Sequence, residues 1–149
     1  MVGLNEIIPM GSDHAGYRMK EFLKINLETD GYICKDYGAF SDDPVDYPDM
    51  IHPVAQVINE GKYRLGIILC GSGNGAAITA NKYNNVRAAL CWEPELVKLA
   101  RQHNDANILV LPARFISNKD ALKFVKVFLS TGFEGGRHKR RVDKISLKP

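Results

Sequence analysis

Short apolar runs alternate along this chain with longer stretches in which apolar residues return at the helical spacing of three to four. Ile7, Ile8 and Met10 predict a first strand. Residues 17–28, with Phe22, Leu23 and Leu27 on one stripe, predict the first helix, which Gly31 ends. A second strand is expected over residues 32–36, then a polar loop from Gly38 to Tyr47 containing Pro44, then a helix over residues 48–59. The third strand is the run 65–70. A helix over 74–83, a strand over 86–91, a helix over 94–103, a strand over 107–111 and a helix over 118–130 complete the alternation. Repeated βα units predict an α/β fold, a Rossmann-like three-layer α/β/α sandwich around a five-stranded parallel sheet. Pro9 is discordant, because it lacks the N–H that a central strand gives to its neighbour.

Composition narrows the class. The 149 residues, 45% of them hydrophobic, suit one domain spanning 1–149, and a domain of that size buries roughly 70% of its unfolded surface. No linker, repeat or low-complexity tract divides it, and a helical tail is expected over about 134–149. The net charge of +3 is too mild for a general nucleic-acid or membrane partner, although cationic residues thicken toward the C-terminus. Cys34, Cys70 and Cys91 form no CxxC pair and leave an odd count, which argues against a disulfide framework and fits a reducing compartment. Residues 1–10 lack a cationic start and a cleavage site, and no uninterrupted apolar run reaches about 18 residues, so a cytoplasmic protein is expected.

Candidate chemistry gathers where strands end. The third strand carries Cys70 directly into Gly71-Ser72-Gly73-Asn74-Gly75 and a helix start, where backbone N–H groups favour negative charge and should lower the thiol toward neutrality. In open α/β sheets ligands sit outside the carboxyl ends of the strands. Ser12-Asp13-His14, the Cys70 loop and Glu93 all follow strands and are expected to share one crevice. His103 and Asn104 precede the fifth strand and so fall at the opposite end, which suggests that His103 serves a neighbouring subunit's site.

Six segments in order, Gly11-Ser12-Asp13-His14-Ala15-Gly16, Asp46-Tyr47-Pro48, Cys70 to Gly75, Ala80-Asn81-Lys82, Arg101 to Asp105 and Glu134-Gly135-Gly136-Arg137-His138, span nearly the whole chain. Together they resemble the type B ribose-5-phosphate isomerases and the related galactose-6-phosphate isomerase subunits. The resemblance implies a metal-free, cofactor-free aldose–ketose isomerase of the pentose phosphate pathway, a homodimer or tetramer with sites shared between subunits. It implies that Cys70 removes the carbon-bound proton, that Ser72 moves protons between the two oxygens, and that Gly71, Gly73, Asn74 and Gly75 hold the enediolate. His103 opens the sugar ring, Asp13 and Tyr47 help to hold the sugar, and Asn104 lies beside it. His14, Arg114, Arg137 and Arg141 form the phosphate clamp. Some relatives place a glutamate directly after the last glycine of the loop; here Ala76 stands there, leaving Cys70 as the loop's only candidate base.

Blander readings stand beside these. Asp13 is placed to cap the helix beginning near Gly16, Tyr47 to pack over a helix start, and His103 to sit as a cation at a helix end. Cys34 and Cys91 read as structural, His52 and His138 as surface residues, and Lys139 and Arg140 as a solvated face opposite an inward-turned Arg137 and Arg141. The loop also matches the GxGxxG/A spacing of dinucleotide binders, with Glu93 as the ribose-binding acid, although it follows the third strand and not the first. A hexose 6-phosphate such as galactose or allose 6-phosphate is the alternative substrate.

Overall fold

The computed structural model describes residues 2–147. Strands β1 (Ile7–Ser12), β2 (Ile33–Asp36), β3 (Gly66–Cys70), β4 (Ala88–Leu90) and β5 (Ile108–Pro112) form a parallel sheet in the order β2-β1-β3-β5-β4. The connecting helices are α1 (Tyr17–Thr29), α2 (Tyr47–Asn59), α3 (Asn74–Ala80), α4 (Pro94–Asn104) and α5 (Asn118–Ser130), followed by α6 (Arg137–Val142).

Alternation along each strand builds two cores. Ile8, Met10, Ile67, Leu69, Leu109 and Leu111 face α1, α4 and α5, where Leu23, Val97, Phe124 and Phe128 meet them. Ile68, Cys70, Ile108 and Val110 face α2 and α3, against Val54, Ile58 and Ala76. Each fully buried leucine or isoleucine contributes roughly 1.5–3 kcal/mol, so the sheet is clamped between its helical layers. Pro9 is accommodated because the ladder to β3 begins at Met10, one residue later.

The strand order places a switch point between β1 and β3: the chain runs outward from β1 to β2, then crosses back to β3. Such a switch point sets a crevice at the carboxyl ends of the two strands. Its outer wall is anchored by a buried lysine. Lys20, fully buried on α1, donates to Asp36 Oδ2 at 2.6 Å, and Asp36 Oδ1 accepts from Gly38 N–H at 2.8 Å. Gly38 carbonyl in turn accepts from Ser12 N–H, and Ala39 N–H donates to Ser12 carbonyl, both at 2.7 Å. The loop after β2 is thereby sewn onto the end of β1.

The largest departures from the sequence-based boundaries lie after the Cys70 loop and in the tail. Helix α3 stops at Ala80 and β4 starts at Ala88, because the Asn81 carboxamide donates to Ala88 carbonyl at 2.9 Å and accepts from its N–H at 2.8 Å. A side chain there takes the place of a neighbouring strand. In the tail, only Arg137–Val142 is helical among the described residues, and residues 148–149 of the expected segment lie outside them. No helix among the described residues is long and apolar enough to cross a membrane.

Candidate active site

Cys70 ends β3 inside the switch-point crevice, 4% exposed. Its carbonyl accepts from Ala113 N–H at 2.9 Å, and Gly71 carbonyl accepts from Arg114 N–H at 3.0 Å, so β5 fixes the backbone from one side. The loop then turns through Gly73 at φ +80, a conformation that side chains rarely adopt, and a methyl there would also strike Leu90. Ser72, exposed, accepts from Asn74 N–H at 3.3 Å through Oγ, which leaves its hydroxyl proton available to a ligand.

Other residues crowd this loop. Asp13, nearly buried, donates its N–H to Leu69 carbonyl at 3.3 Å and accepts from Gly16 N–H through Oδ1 at 3.0 Å. Its carboxylate therefore caps the turn that opens α1 while standing beside Cys70. His14 Nδ1 accepts from Val45 N–H at 3.1 Å, which leaves Nε2 to carry the ring proton. The Tyr47 ring lies on Gly75 so closely that a Cβ there would sit 2.5 Å from Cζ and 2.6 Å from Cε2. The exposed Arg114 guanidinium covers Gly71, with Nη1 3.2 Å from where a Cβ would be.

A second cluster lies elsewhere. The parallel register pairs Gly66 with Ile108 and Cys70 with Pro112, so residues that precede β5 sit at the far end of the sheet. Five residues of strand separate them from Cys70, roughly 16 Å. There His103, in the last turn of α4, stacks on His138 of α6 with ring centroids 4.2 Å apart and planes at 11°. Glu134 Oε2 lies 3.6 Å from His138 Nε2 and 4.0 Å from His103 Nε2. Asn104, Arg137, Arg141, Val142 and Ile145 complete the lining of a hollow of about 480 Å³.

The ribose/galactose isomerase family model matches residues 8–145. The chain belongs to the ribose/galactose isomerase family. It is 47% identical to a ribose 5-phosphate isomerase of Thermotoga maritima, covering 95% of this chain and 98% of that one with a TM-score of 0.93. A ribose-5-phosphate isomerase B of Mycoplasma genitalium, solved with bound ribulose-5-phosphate, is 39% identical over 96% of this chain and 95% of that one, with a TM-score of 0.91. A probable ribose-5-phosphate isomerase B of Mycoplasma pneumoniae is 41% identical over 143 residues, 95% of this chain and 94% of its own length.

Against that family background, several expectations need correction. Burial is the largest influence on the Cys70 thiol and pushes it up; the Ala76 N–H opposes this, the Asp13 carboxylate adds to it, and the Gly73 and Gly75 N–H groups oppose it, for a net rise. The expected lowering by the loop and helix terminus is outweighed by desolvation of the buried sulfur. Glu93 does not join the crevice: β4 is the edge strand, two strands from β3, or roughly 10 Å in the sheet, and Glu93 stands exposed. That distance, with family membership, sets aside the dinucleotide alternative. Arg137 and Arg141 line the hollow while Lys139 and Arg140 do not, and all four are exposed.

His138 was expected at the surface and is 8% exposed. Burial first, then neighbouring His103 and Arg137, push its imidazole below the ordinary value; the Glu134 carboxylate opposes this and Arg141 adds to it. Cys34 and Cys91 fit the structural reading, both thiols free and pushed up by burial, to about 12 and about 11. His52 is exposed and shares a 2.8 Å hydrogen bond with Tyr83 Oη, as a surface residue does.

Proposed function

We propose that this chain interconverts ribose 5-phosphate and ribulose 5-phosphate through an enediolate, with each active site shared by two copies. The observation that carries the reading is Cys70 at the switch-point crevice, its sulfur beside three backbone N–H groups. The Cys70 thiolate takes the proton from C2 of the open-chain aldose, and the C1 carbonyl oxygen gains the negative charge. Backbone N–H groups of the loop 71–75 hold that oxygen, which is where such donors contribute most. Ser72, with its hydroxyl free, carries a proton between the two oxygens, and the protonated Cys70 returns its proton to C1. Asp13, Tyr47, His14 and Arg114 hold the sugar and its phosphate on the same side.

Ring opening needs an acid–base group at the ring oxygen, and His103 supplies it from the second copy together with Asn104, Arg137 and Arg141. Support for two copies comes from the separation of the two clusters and from the surface around the crevice. Trp92, 53% exposed, and Phe115, 76% exposed, flank Ser72 and Asn74 with Leu90 and Pro112. An apolar patch beside a catalytic mouth fits a covering subunit. The same reading takes residues 1–149 as one cytoplasmic isomerase unit of the pentose phosphate pathway, working without metal or cofactor.

Because the Cys70 thiol is raised, its thiolate fraction at neutral pH is small and grows as pH rises. Turnover of ribose 5-phosphate at low substrate should therefore climb by close to tenfold per unit from about pH 7 upward, levelling only as the thiol finishes ionising. Stopped assays with ribose 5-phosphate, galactose 6-phosphate and allose 6-phosphate across that range test both points. A flat profile would remove Cys70 as the base, and faster turnover of a hexose 6-phosphate would move the substrate assignment.

A further inference from the structure

Lys20 is the largest side chain that the fold buries completely, and no step proposed for the reaction uses it. Its ammonium donates to Asp36 Oδ2 at 2.6 Å and to Glu21 Oε1 at 3.1 Å, and the rings of Tyr17 and Phe40 lie 5.5 and 5.8 Å from it. Burial pushes the Asp36 carboxyl up, but Lys20, the Gly38 N–H and Lys24 outweigh it and hold the group below the usual carboxylate range. A buried ion pair of this kind adds little net stability, since desolvating both charges offsets their attraction, and apolar residues of similar volume usually serve a fold as well. Its value lies in direction: with Oδ2 held by Lys20, and by Lys24 at 3.1 Å, Asp36 is left with Oδ1 facing Gly38.

The hydrogen bonds around the pair close on Asp13. Asp36 Oδ1 accepts from Gly38 N–H at 2.8 Å, and Gly38 carbonyl accepts at 2.7 Å from the N–H of Ser12, the residue before Asp13. On the other side, Lys20 N–H donates to Gly16 carbonyl at 2.9 Å, and Gly16 N–H donates to Asp13 Oδ1 at 3.0 Å. Both links are tight. Gly38 turns at φ +101, where a Cβ would stand 2.9 Å from the Met50 sulfur, and a Cβ on Gly16 would stand 2.8 Å from that of Leu69.

We infer that Lys20 and Asp36 are positioning residues for the isomerisation: through Gly38 and Gly16 they fix where Asp13 stands against Cys70 and the sugar. For the sugar, the inference rests on the isomerase reading. For Cys70 it does not, because the Asp13 carboxylate adds to the rise of that thiol whatever the substrate.

Two double variants separate positioning from folding. Lys20→Met with Asp36→Leu fills the space with apolar groups and leaves Gly38 N–H without its acceptor; Lys20→Met with Asp36→Asn keeps an acceptor there. Both should melt near the parent's temperature. The first should lose at least roughly 10-fold in kcat/KM for ribose 5-phosphate, and the second should recover to within about 3-fold of the parent. NMR titration of protein labelled at the cysteine β-carbons reads the same displacement without substrate, because Cys34 and Cys91 are pushed up to about 12 and about 11. With Asp13 drawn off the sulfur, Cys70 in the first variant should ionise at a pH lower by at least roughly half a unit, and in the second as in the parent. Should the first variant not fold, Lys20→Met alone, in which Lys24 still pairs with Asp36, carries both readouts. An unmoved Cys70 titration in the first variant, an unchanged kcat/KM, or a second variant as impaired as the first overturns the inference. A parent protein that never turns over ribose 5-phosphate overturns the proposed function instead, while the titration still decides whether the pair places Asp13.

Discussion

Cys70→Ala should cut turnover of ribose 5-phosphate by roughly 10³-fold, within the range that a positioned proton-transfer group supplies. No other base stands in the loop, since Ala76 occupies the place where a carboxylate would be wanted. Asp13 is the nearest carboxylate on the same side, and it is tied to the N–H of Gly16. Cys70→Ser should fare no better, because a buried hydroxyl ionises far less readily than a buried thiol. The fold should survive, because the change removes a single sulfur from a core otherwise filled by Ile68, Val110 and Ala76. Circular dichroism and a thermal melt close to the parent's, beside a missing rate, is the expected pair of results. A variant that keeps the parent rate refutes the assignment.

Gly75→Ala should lower kcat/KM by about 10², although it adds only one methyl and touches no group that moves a proton. The methyl has nowhere to go: it would meet three atoms of the Tyr47 ring at 2.5 to 2.9 Å. Either the ring swings off the loop or the first turn of α3 shifts, and in both cases the sugar side of the crevice moves against Cys70. Gly132→Ala, where a Cβ meets nothing within 4 Å, should behave as the parent. Steady-state kinetics of Gly75→Ala, Tyr47→Ala and the double variant separate clash from chemistry. If the clash is the cause, Gly75→Ala costs little in a Tyr47→Ala background; full additivity would count against it.

Much of this architecture was legible before any coordinates. The apolar runs around Ile67 and Leu109, the stripe of Phe22, Leu23 and Leu27, and the position of Cys70 before a glycine-rich turn are local signals, and local periodicity reports them directly. The separation of His103 from Cys70 was also readable, because a residue before a parallel strand and one after its neighbour fall at opposite ends. Strand order was not readable. Only the sheet shows β4 at the edge, and this is what carries Glu93 away from the crevice.

Two other features depend on packing that no short window contains. Sequence position put Cys70 near a helix terminus, but the rise of its thiol comes from burial between β3 and the α2–α3 layer. Similarly, His138 sits in a run of cations that reads as a solvated face, and only the docking of α6 against the end of α4 covers it. Lys20 gave no signal at all. Its complete burial follows from Asp36 on the neighbouring β2, sixteen residues away in sequence.

The proposed site is divided, with the base in one copy and the ring-opening imidazole in the other. Co-expression of Cys70→Ala and His103→Ala chains, each nearly inactive alone, puts this to a direct trial. Random pairing makes half of the pairs mixed, and each mixed pair holds one complete site of two, so activity should return to about a quarter of the parent's. Mixed pairs that form, as seen by native mass spectrometry, yet show no more activity than the two variants alone would contradict the division.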